Sequence, residues 1–434
     1  MYINNYKNNI IKTLFDKIKQ KITVNLKLNL NNIWTIVNNE NQELITNIQN
    51  NNWLFIKKQD NMNIYILNNK VKVVGDIALI DFKEGRIKNY EDCFILSAKV
   101  VKKDLNTEIL KQYLVKSNLN EVSSPNRKPL FLYMETLDNK LLDKRYYNTE
   151  CYIMNILSKG HKIITNKYWL YLNFNKKYPD ICKKYMASTV DLLKFDKNLI
   201  VGNKKIFISR PVGVGAFSGK DIVIISDNTS LAKALLNIPK YENVIVSEYI
   251  INPYLYQSKK THYRYYLLVS IISGIYSTYL LEFFEQFHAK LPYIKGEWDN
   301  KDIHDTHYGS TEDDIIGPDD FEPEKQKIFN NTVWSKVSDC LFHVSKILEG
   351  NATPYDNSKN AFEIFGCDIL VHDDYEITLM EINEHTGYGI DDKLKNEEFS
   401  QKIFERINNI IINPAINGIP STVKPLYTKN MLNS

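Results

Sequence analysis

Residues Phe362–Asn383 read FEIFGCDILVHDDYEITLMEIN, and the alternation of apolar and acidic positions within them decides the fold. Two apolar runs, Cys367–His372 and Ile377–Asn383, flank an acidic break, which is the pattern of a β-hairpin. A two-residue turn at Asp374–Tyr375 places Asp368 directly opposite Glu381, with Cβ atoms about 4.5–5.5 Å apart. Strand alternation then puts Asn383 on the same face as Glu381. Facing carboxylates destabilise a sheet unless something compensates them. Mg²⁺, which takes oxygen ligands and commonly one or two carboxylates beside substrate phosphates, is a natural compensator. The competing reading is an edge hairpin with solvated acids. The acids that a surface turn calls for are already present as Asp373, Asp374 and Glu376, whereas Asp368 and Glu381 lie deeper in the apolar runs.

Upstream, Ser209–Asp221 (SRPVGVGAFSGKD) lies between two apolar strands, Lys205–Ser209 and Ile222–Ile225. Its spacing fits neither the P-loop nor the GxGxxG pattern, yet a glycine-rich loop can wrap phosphate oxygens with backbone N–H groups. Arg210, at the end of the strand entering it, is a candidate fixed cation for phosphate. In Lys260-Thr-His262-Tyr-Arg264 three cationic or titratable groups share one strand face, a stripe suited to an anionic ligand. The same strand runs on into a hairpin, Arg264–Ile272 with Ile275–Phe283, turning at Ser273-Gly274. His304 and His307 lack a third ligand nearby and do not make a zinc site. Helices are expected around Tyr152–Leu157, Tyr168–Phe174, Ser230–Leu236, Gln326–Leu348 and Phe399–Ile411, and a strand at Val244–Tyr249. Strands and helices with several antiparallel hairpins indicate an α+β protein.

The 434-residue chain is long enough for two or three domains. Its 44% hydrophobic and 24% charged residues are those of a globular protein, and a net charge of +4 is far from that of a dedicated nucleic-acid binder, so no nucleic-acid partner is expected. No apolar run reaches the ~20 residues that span a bilayer. Met1–Asn9 is polar, no signal peptide is expected, and a cytoplasmic location with no membrane partner follows as the expectation. Five scattered cysteines without CxxC read as packed thiols. Residues 1 to about 135 alternate short apolar runs (Trp53–Ile56, Ile64–Leu67, Val71–Leu79, Phe94–Val101) with Asn-rich breaks, after an amphipathic Lys-rich helix over residues 10–22. Asn118–Lys128, polar and containing Pro125, is the linker candidate. The expected organisation is an N-terminal α/β domain at 1–128, an N-terminal ligase subdomain at 129–184, a central or lid subdomain at 185–250, and a C-terminal subdomain with the metal site at 251–434.

Taken in order, these motifs resemble the tubulin–tyrosine-ligase-like family of ATP-grasp enzymes over roughly Pro129–Ile411. The segment FGCDILVHDDYEITLMEIN is similar to the family's most specific signature, which implies that Asp368, Glu381 and Asn383 bind Mg²⁺ bridging ATP phosphates. Ile208-Ser209-Arg210-Pro211, followed by Gly219-Lys220-Asp221-Ile222, resembles the phosphate-loop segment, with Arg210 where Lys is usual and Asp221 where Gly is usual. Val246-Ser-Glu248-Tyr249-Ile250 resembles the strand and hinge that hold adenine. Lys260-x-His262-x-Arg264 resembles a strand contacting nucleotide and acceptor, with His262 replacing Asp. His304-Asp-Thr306-His307 resembles a fourth motif, with His307 replacing Asn, and Thr165-Asn-Lys167 resembles a Lys-bearing segment ahead of the lid. The resemblance implies an ATP- and Mg²⁺-dependent ligase that joins a free amino acid to the carboxylate of an acidic, tubulin-like protein tail through an acyl phosphate. It makes Arg264, Arg210 and Glu381 the catalytic candidates, and Arg210, Lys220, Glu248, Tyr249, Ile250, Lys260, His262 and Lys167 the nucleotide-binding ones. A local cationic stripe (Lys259, Lys260, His262, Arg264, His288, Lys290) is the expected acceptor groove. The replaced positions leave two alternatives open: a ligase with another acceptor, or an ATP-grasp domain kept as a nucleotide-binding or structural module.

Overall fold

In a computed structural model of the chain, residues 151–431 are described apart from 159, 204, 214–220, 307–316, 318, 320, 355–357, 385–392 and 418–419. Before 151 the description is of backbone strands alone. The chain divides into two compact units. One comprises Met1–Lys103, Lys111–Met154 and Asp356–Lys359; the other comprises Asp104–Leu110, Asn155–Tyr355 and Asn360–Ser434.

The first unit is built of short strands: β1 Ile33–Val37, β2 Leu54–Gln59, β3 Met62–Leu67, β4 Lys70–Val74, β5 Leu79–Asp81, β6 Arg86–Lys88, β7 Leu96–Val101, β8 Leu119–Glu121, β9 Phe131–Met134 and β10 Cys151–Met154. Six of them form one sheet in the order β2-β3-β4-β1-β5-β6. The other four run parallel, with β7 between β8 and β9 and β10 beside β9. Three expectations change here. The run expected over Val71–Leu79 is two strands, β4 and β5, with 75–78 outside the described residues. The linker candidate carries β8, three residues too short for a period-2 pattern to announce. Tyr152–Leu157 is not helical: Cys151–Met154 is strand, because four apolar residues have no period and their β-branched and aromatic content favours the sheet. The amphipathic helix expected over residues 10–22 lies outside the described residues.

The second unit holds two antiparallel sheets. The larger is built on two 14-residue strands, β16 Lys259–Ile272 and β17 Ile275–His288, joined at Ser273-Gly274. Both turn residues have positive φ, 52° and 77°, as a two-residue primed hairpin turn demands. β18 Ser358–Val371 pairs with the other side of β16, β19 Ile377–Asn383 with β18, β20 Tyr427–Asn430 with β17, and β15 Leu255–Tyr256 with the start of β16. One face of this sheet is covered by Pro323–Leu348. That stretch is helical throughout, with a wider π turn at Phe329–Val333. Val337, Cys340, Leu341, Val344 and Leu348 recur at helical spacing and interleave with Phe365, Cys367, Ile369 and Leu379 from the sheet. The helices Lys167–Lys177 and Pro179–Tyr185 complete this core through Leu170, Phe174, Cys182 and Tyr185. The smaller sheet has the order β11 Thr189–Asp191, β14 Asn243–Glu248, β12 Phe207–Val212 and β13 Val223–Ile225. The helix Asn228–Leu235 packs beside it, capped by Asp227 and Ser230 in a reciprocal capping box. Cys151, Cys182, Cys340 and Cys367 are buried and form no disulfide. Among the described residues no helix is long and apolar enough to cross a membrane.

One backbone position ahead of these helices is tightly enclosed. Gly160 leads into the short helix His161–Thr165 with φ of 94°, and a Cβ there would lie 2.7 Å from the Asn351 carbonyl carbon and oxygen. Gly160→Ala is expected to destabilise the second unit by roughly 1–3 kcal/mol from backbone strain alone, with the contact adding to it. Urea unfolding monitored by tryptophan fluorescence checks this; an unchanged midpoint would show that the 351–352 backbone gives way freely.

Candidate active site

The hairpin β18–β19 reaches the expected pairing by a different route. Near the tip Val371 pairs with Ile377 and Ile369 with Leu379, so the loop is one residue longer than two, with Tyr375 left-handed at φ 61°. A bulge at Met380 then shifts the register, and below it Asp368 faces Glu381 and Cys367 faces Ile382. The two departures cancel. The bulge has a purpose visible in the chain: Ile377, Leu379, Glu381 and Asn383 are all odd-numbered, and a regular strand would send the apolar and polar pairs to the same face. Instead Ile377, Leu379 and Ile382 enter the core, while Asn383 Nδ2 lies 3.0 Å from Asp368 Oδ2 and 3.3 Å from Glu381 Oε1.

The carboxylates are compensated by side chains from distant parts of the chain. Arg264 binds Asp368 with both ends of its fork, Nε to Oδ1 at 2.7 Å and Nη2 to Oδ2 at 2.9 Å. Burial opposes the Arg264 charge, but Asp368 outweighs it and holds the guanidinium above its ordinary range. Lys167 Nζ lies 2.7 Å from Glu381 Oε2; it is delivered by the first turn of its helix, whose N-terminus Asn166 caps through Tyr168 N and Trp169 N. Arg210 is half-buried and reaches from the smaller sheet to the bulge, donating to the Met380 carbonyl at 3.0 Å and to Ser247 Oγ at 3.2 Å. Ser247 donates on to Thr189, which donates to the Ala187 carbonyl. Burial pulls the Arg210 pKa down, and Glu381 partly restores it.

Of these groups Asp368, Glu381, Lys167, Arg210, Ser247 and Thr189 line a cleft of about 320 Å³ between the two sheets, at the small end of the range for ligand pockets. Ile208, Ile222, Ile224, Tyr249, Ile250 and Leu370 give it an apolar wall. Lys260 crosses its floor. Its Nζ donates to the Tyr249 hydroxyl at 2.9 Å, and that hydroxyl hydrogen-bonds His304 Nδ1 at 2.8 Å. His304 Nε2 lies 3.0 Å from the Glu297 carbonyl, which can only accept, so Nε2 carries the proton and Nδ1 accepts. Burial pushes Lys260 down to about 7, with Asp305 opposing and Arg210 adding to the shift. Burial likewise pushes His304 down to about 4, against the Glu297 hydrogen bond.

The remaining expected residues divide. His262 is fully buried, 2.6 Å from Thr306 Oγ1 through Nδ1 and stacked on Phe287 at 4.9 Å. Glu248 borders the cleft, with its carboxylate on Lys205. Lys220, His307 and the loop between Gly213 and Asp221 lie outside the described residues. The cationic stripe is not an open groove: Lys260, His262 and His288 are buried, Arg264 is taken by Asp368, and Lys290 pairs with Asp302. The apolar continuation of that strand carries those side chains inward with it. Sequence reasoning missed Ser247, Thr189, the Met380 carbonyl and the role of His304 beside Tyr249. The parity conflict in β19 was the signal available for the bulge.

A larger antiparallel sheet facing a smaller one across a cleft of cations and paired carboxylates defines an ATP-grasp fold. The C-terminal domain of K. lactis Pby1, an ATP-grasp enzyme interacting with the mRNA decapping enzyme Dcp2, aligns with 76% of this chain and 99% of its own, at a TM-score of 0.50 and 17% identity. The pattern of the tubulin-tyrosine ligase family matches residues 180–414. A probable tubulin–tyrosine ligase of Schizosaccharomyces pombe is 24% identical over 310 residues, 68% of this chain and 70% of that protein. The chain belongs to the tubulin-tyrosine ligase family.

The buried lysine has a pH signature. Its folded-state pKa of about 7 lies below the ordinary 10.5, so between those values the unfolded chain holds a proton that the folded chain lacks. Lys260 therefore costs stability, increasingly as pH falls from about 10.5 to about 7, and by a constant amount below. Lys260→Met is expected to be more stable than the parent at neutral pH, the advantage shrinking toward pH 10.5. Urea midpoints across that range check it; a pH-independent difference would refute the assignment.

Proposed function

We propose that the protein is an ATP- and Mg²⁺-dependent carboxylate–amine ligase acting in the cleft between the two sheets. The observation that carries this reading is the convergence of Asp368, Glu381 and Asn383 beside four basic side chains, Lys167, Arg210, Lys260 and Arg264. Family membership supports a ligase of the ATP-grasp kind. The donor set fits Mg²⁺: two carboxylates and an amide whose oxygen can turn inward, all hard oxygen ligands. Among the described residues no three His, Cys, Asp or Glu side chains cluster to hold a metal; in this reading the amide oxygen of Asn383 would be the third donor. When bound, the ion would offset phosphate charge during phosphoryl transfer.

The protein's own work is positioning and electrostatics. Arg210, fixed by Met380 and Ser247, and Lys260, fixed by Tyr249, offer oriented donors to phosphate oxygens. Lys167 can pass from Glu381 to the phosphate beside it. The apolar wall from Ile208 to Leu370 suits a purine, with Tyr249 and Ile250 at its edge. Arg264 orients the reacting carboxylate. One oxygen of that carboxylate bonds to the γ-phosphorus as the bond to the ADP oxygen breaks, giving an acyl phosphate. The amino group of a free amino acid then bonds to the acyl carbon as phosphate leaves, and loses one proton. An acidic protein tail is the proposed acceptor. A nucleotide-binding module without ligation is the second reading, favoured by the hold of Arg264 on Asp368.

Calorimetry is expected to show Mg²⁺-dependent binding of a non-hydrolysable ATP analogue. Glu381→Gln is expected to weaken it by at least the roughly tenfold that follows loss of an outer partner of a metal ligand. Because Lys167 loses its partner, a small loss of stability should accompany the change. Wild-type Mg²⁺-dependent binding in Glu381→Gln would overturn the metal assignment. Incubation with ATP, Mg²⁺, a Glu-rich peptide and mixed amino acids, read by mass spectrometry, separates the readings: added amino-acid mass supports the ligase, and its absence with analogue binding intact supports the module.

A further inference from the structure

Arg264 is committed before any substrate arrives. Both oxygens of Asp368 are taken by its fork at 2.7 and 2.9 Å. The Phe287 ring lies 4.8 Å from the guanidinium carbon, and the side chains are 14% and 1% exposed. A guanidinium engaged edge-on with one carboxylate has that edge unavailable for bidentate recognition of another. Asp368, Glu381, Lys167 and Arg264 together carry two negative and two positive charges, so the quartet is neutral as it stands.

We infer that Arg264 is released by occupation of Asp368, so that the site for the carboxylate substrate forms only after Mg²⁺ and nucleotide have bound. This rests on the ligase reading above. A divalent cation held by Asp368, Glu381 and Asn383 would leave Arg264 facing excess positive charge, and like charges repel strongly where water is largely excluded. Lys167, at 20% exposure, can turn to the phosphates that enter with the metal. Arg264, stacked against Phe287 and confined, turns its fork to an incoming carboxylate. The binding order is compulsory because one guanidinium serves two carboxylates in succession. An acceptor carboxylate cannot then bind productively in a cleft without nucleotide.

The test uses the full chain and a fluorescein-labelled Glu-rich peptide, read by anisotropy with and without Mg²⁺ and a non-hydrolysable ATP analogue. Binding is expected to tighten at least about tenfold in the loaded state, within the usual range of coupling between linked ligands. Asp368→Asn removes the charge that holds Arg264, and is expected to bind peptide near the loaded affinity without Mg²⁺ or analogue. A second measurement needs neither acceptor nor variant protein beyond an assignment: the ¹⁵N-arginine spectrum of the wild type. The Arg264 Nε–H signal, assigned by its loss in Arg264→Lys, is expected to shift with Mg²⁺ and analogue and to stay in place with analogue plus chelator. Equal peptide affinity in both states, or an unmoved Arg264 signal while calorimetry shows Mg²⁺ and analogue bound, overturns the inference alone. No Mg²⁺-dependent analogue binding overturns the ligase reading and this inference with it.

Discussion

Two carboxylates, Asp368 and Glu381, are held directly across one pair of strands, and much of the second unit answers that constraint. Facing acids in a half-buried sheet repel, and removing them from water costs several kcal/mol per ion unless partners are supplied. The partners come from the strand β16, through Arg264, and from the helix behind Asn166, through Lys167. Each element is built so that its cation arrives: β16 lies against β18 with Arg264 opposite Asp368 in register, and Asn166 caps the helix one residue before the lysine. An apolar replacement of the whole quartet could be equally stable. Its being built of charge fits the exchange of one cation for another inferred above.

The bulge at Met380 links this charge cluster to the smaller sheet. By removing one residue from the ladder it directs Glu381 into the cleft and leaves the Met380 carbonyl for Arg210. That guanidinium, Ser247 and Thr189 form a directed chain ending at the Ala187 carbonyl. Separating the sheets at this point means giving up hydrogen bonds worth about 0.5–1.5 kcal/mol each, a modest cost beside that of unfolding. A ligand that replaces those bonds with charge-assisted ones to phosphate would set how far the cleft closes.

What could be read from the chain was local. The Asp368–Glu381 pairing, the Ser273-Gly274 turn, the helix behind Lys167 and the long helix ending at Leu348 all follow from patterns within about twenty residues. The pairing emerged although the loop was one residue longer than expected, because the bulge restored the register. The compensating cations were not legible as such, since Arg264 and Lys167 lie 104 and 214 positions from their partners and no local pattern connects them. The alternating Lys260, His262 and Arg264 marked a shared face correctly, but whether that face meets water or a cleft depends on the strands laid beside it. Cys151–Met154 was misread because a four-residue apolar run carries no period to distinguish strand from helix.

Cys182, Cys340 and Cys367 share the core beneath the carboxylate hairpin. Burial pushes Cys182 up to about 11 and the other two higher still, and the reactive form of a thiol is the thiolate. In the closed protein these sulfurs are thus shielded twice, by packing and by protonation. An alkylating reagent meets them only when the core opens, so the rate of their modification records the opening of the sheet–helix core and not the chemistry of the thiols themselves. Three native cysteines therefore serve as an intrinsic clock for core dynamics, one that a ligand bridging the two sheets would slow.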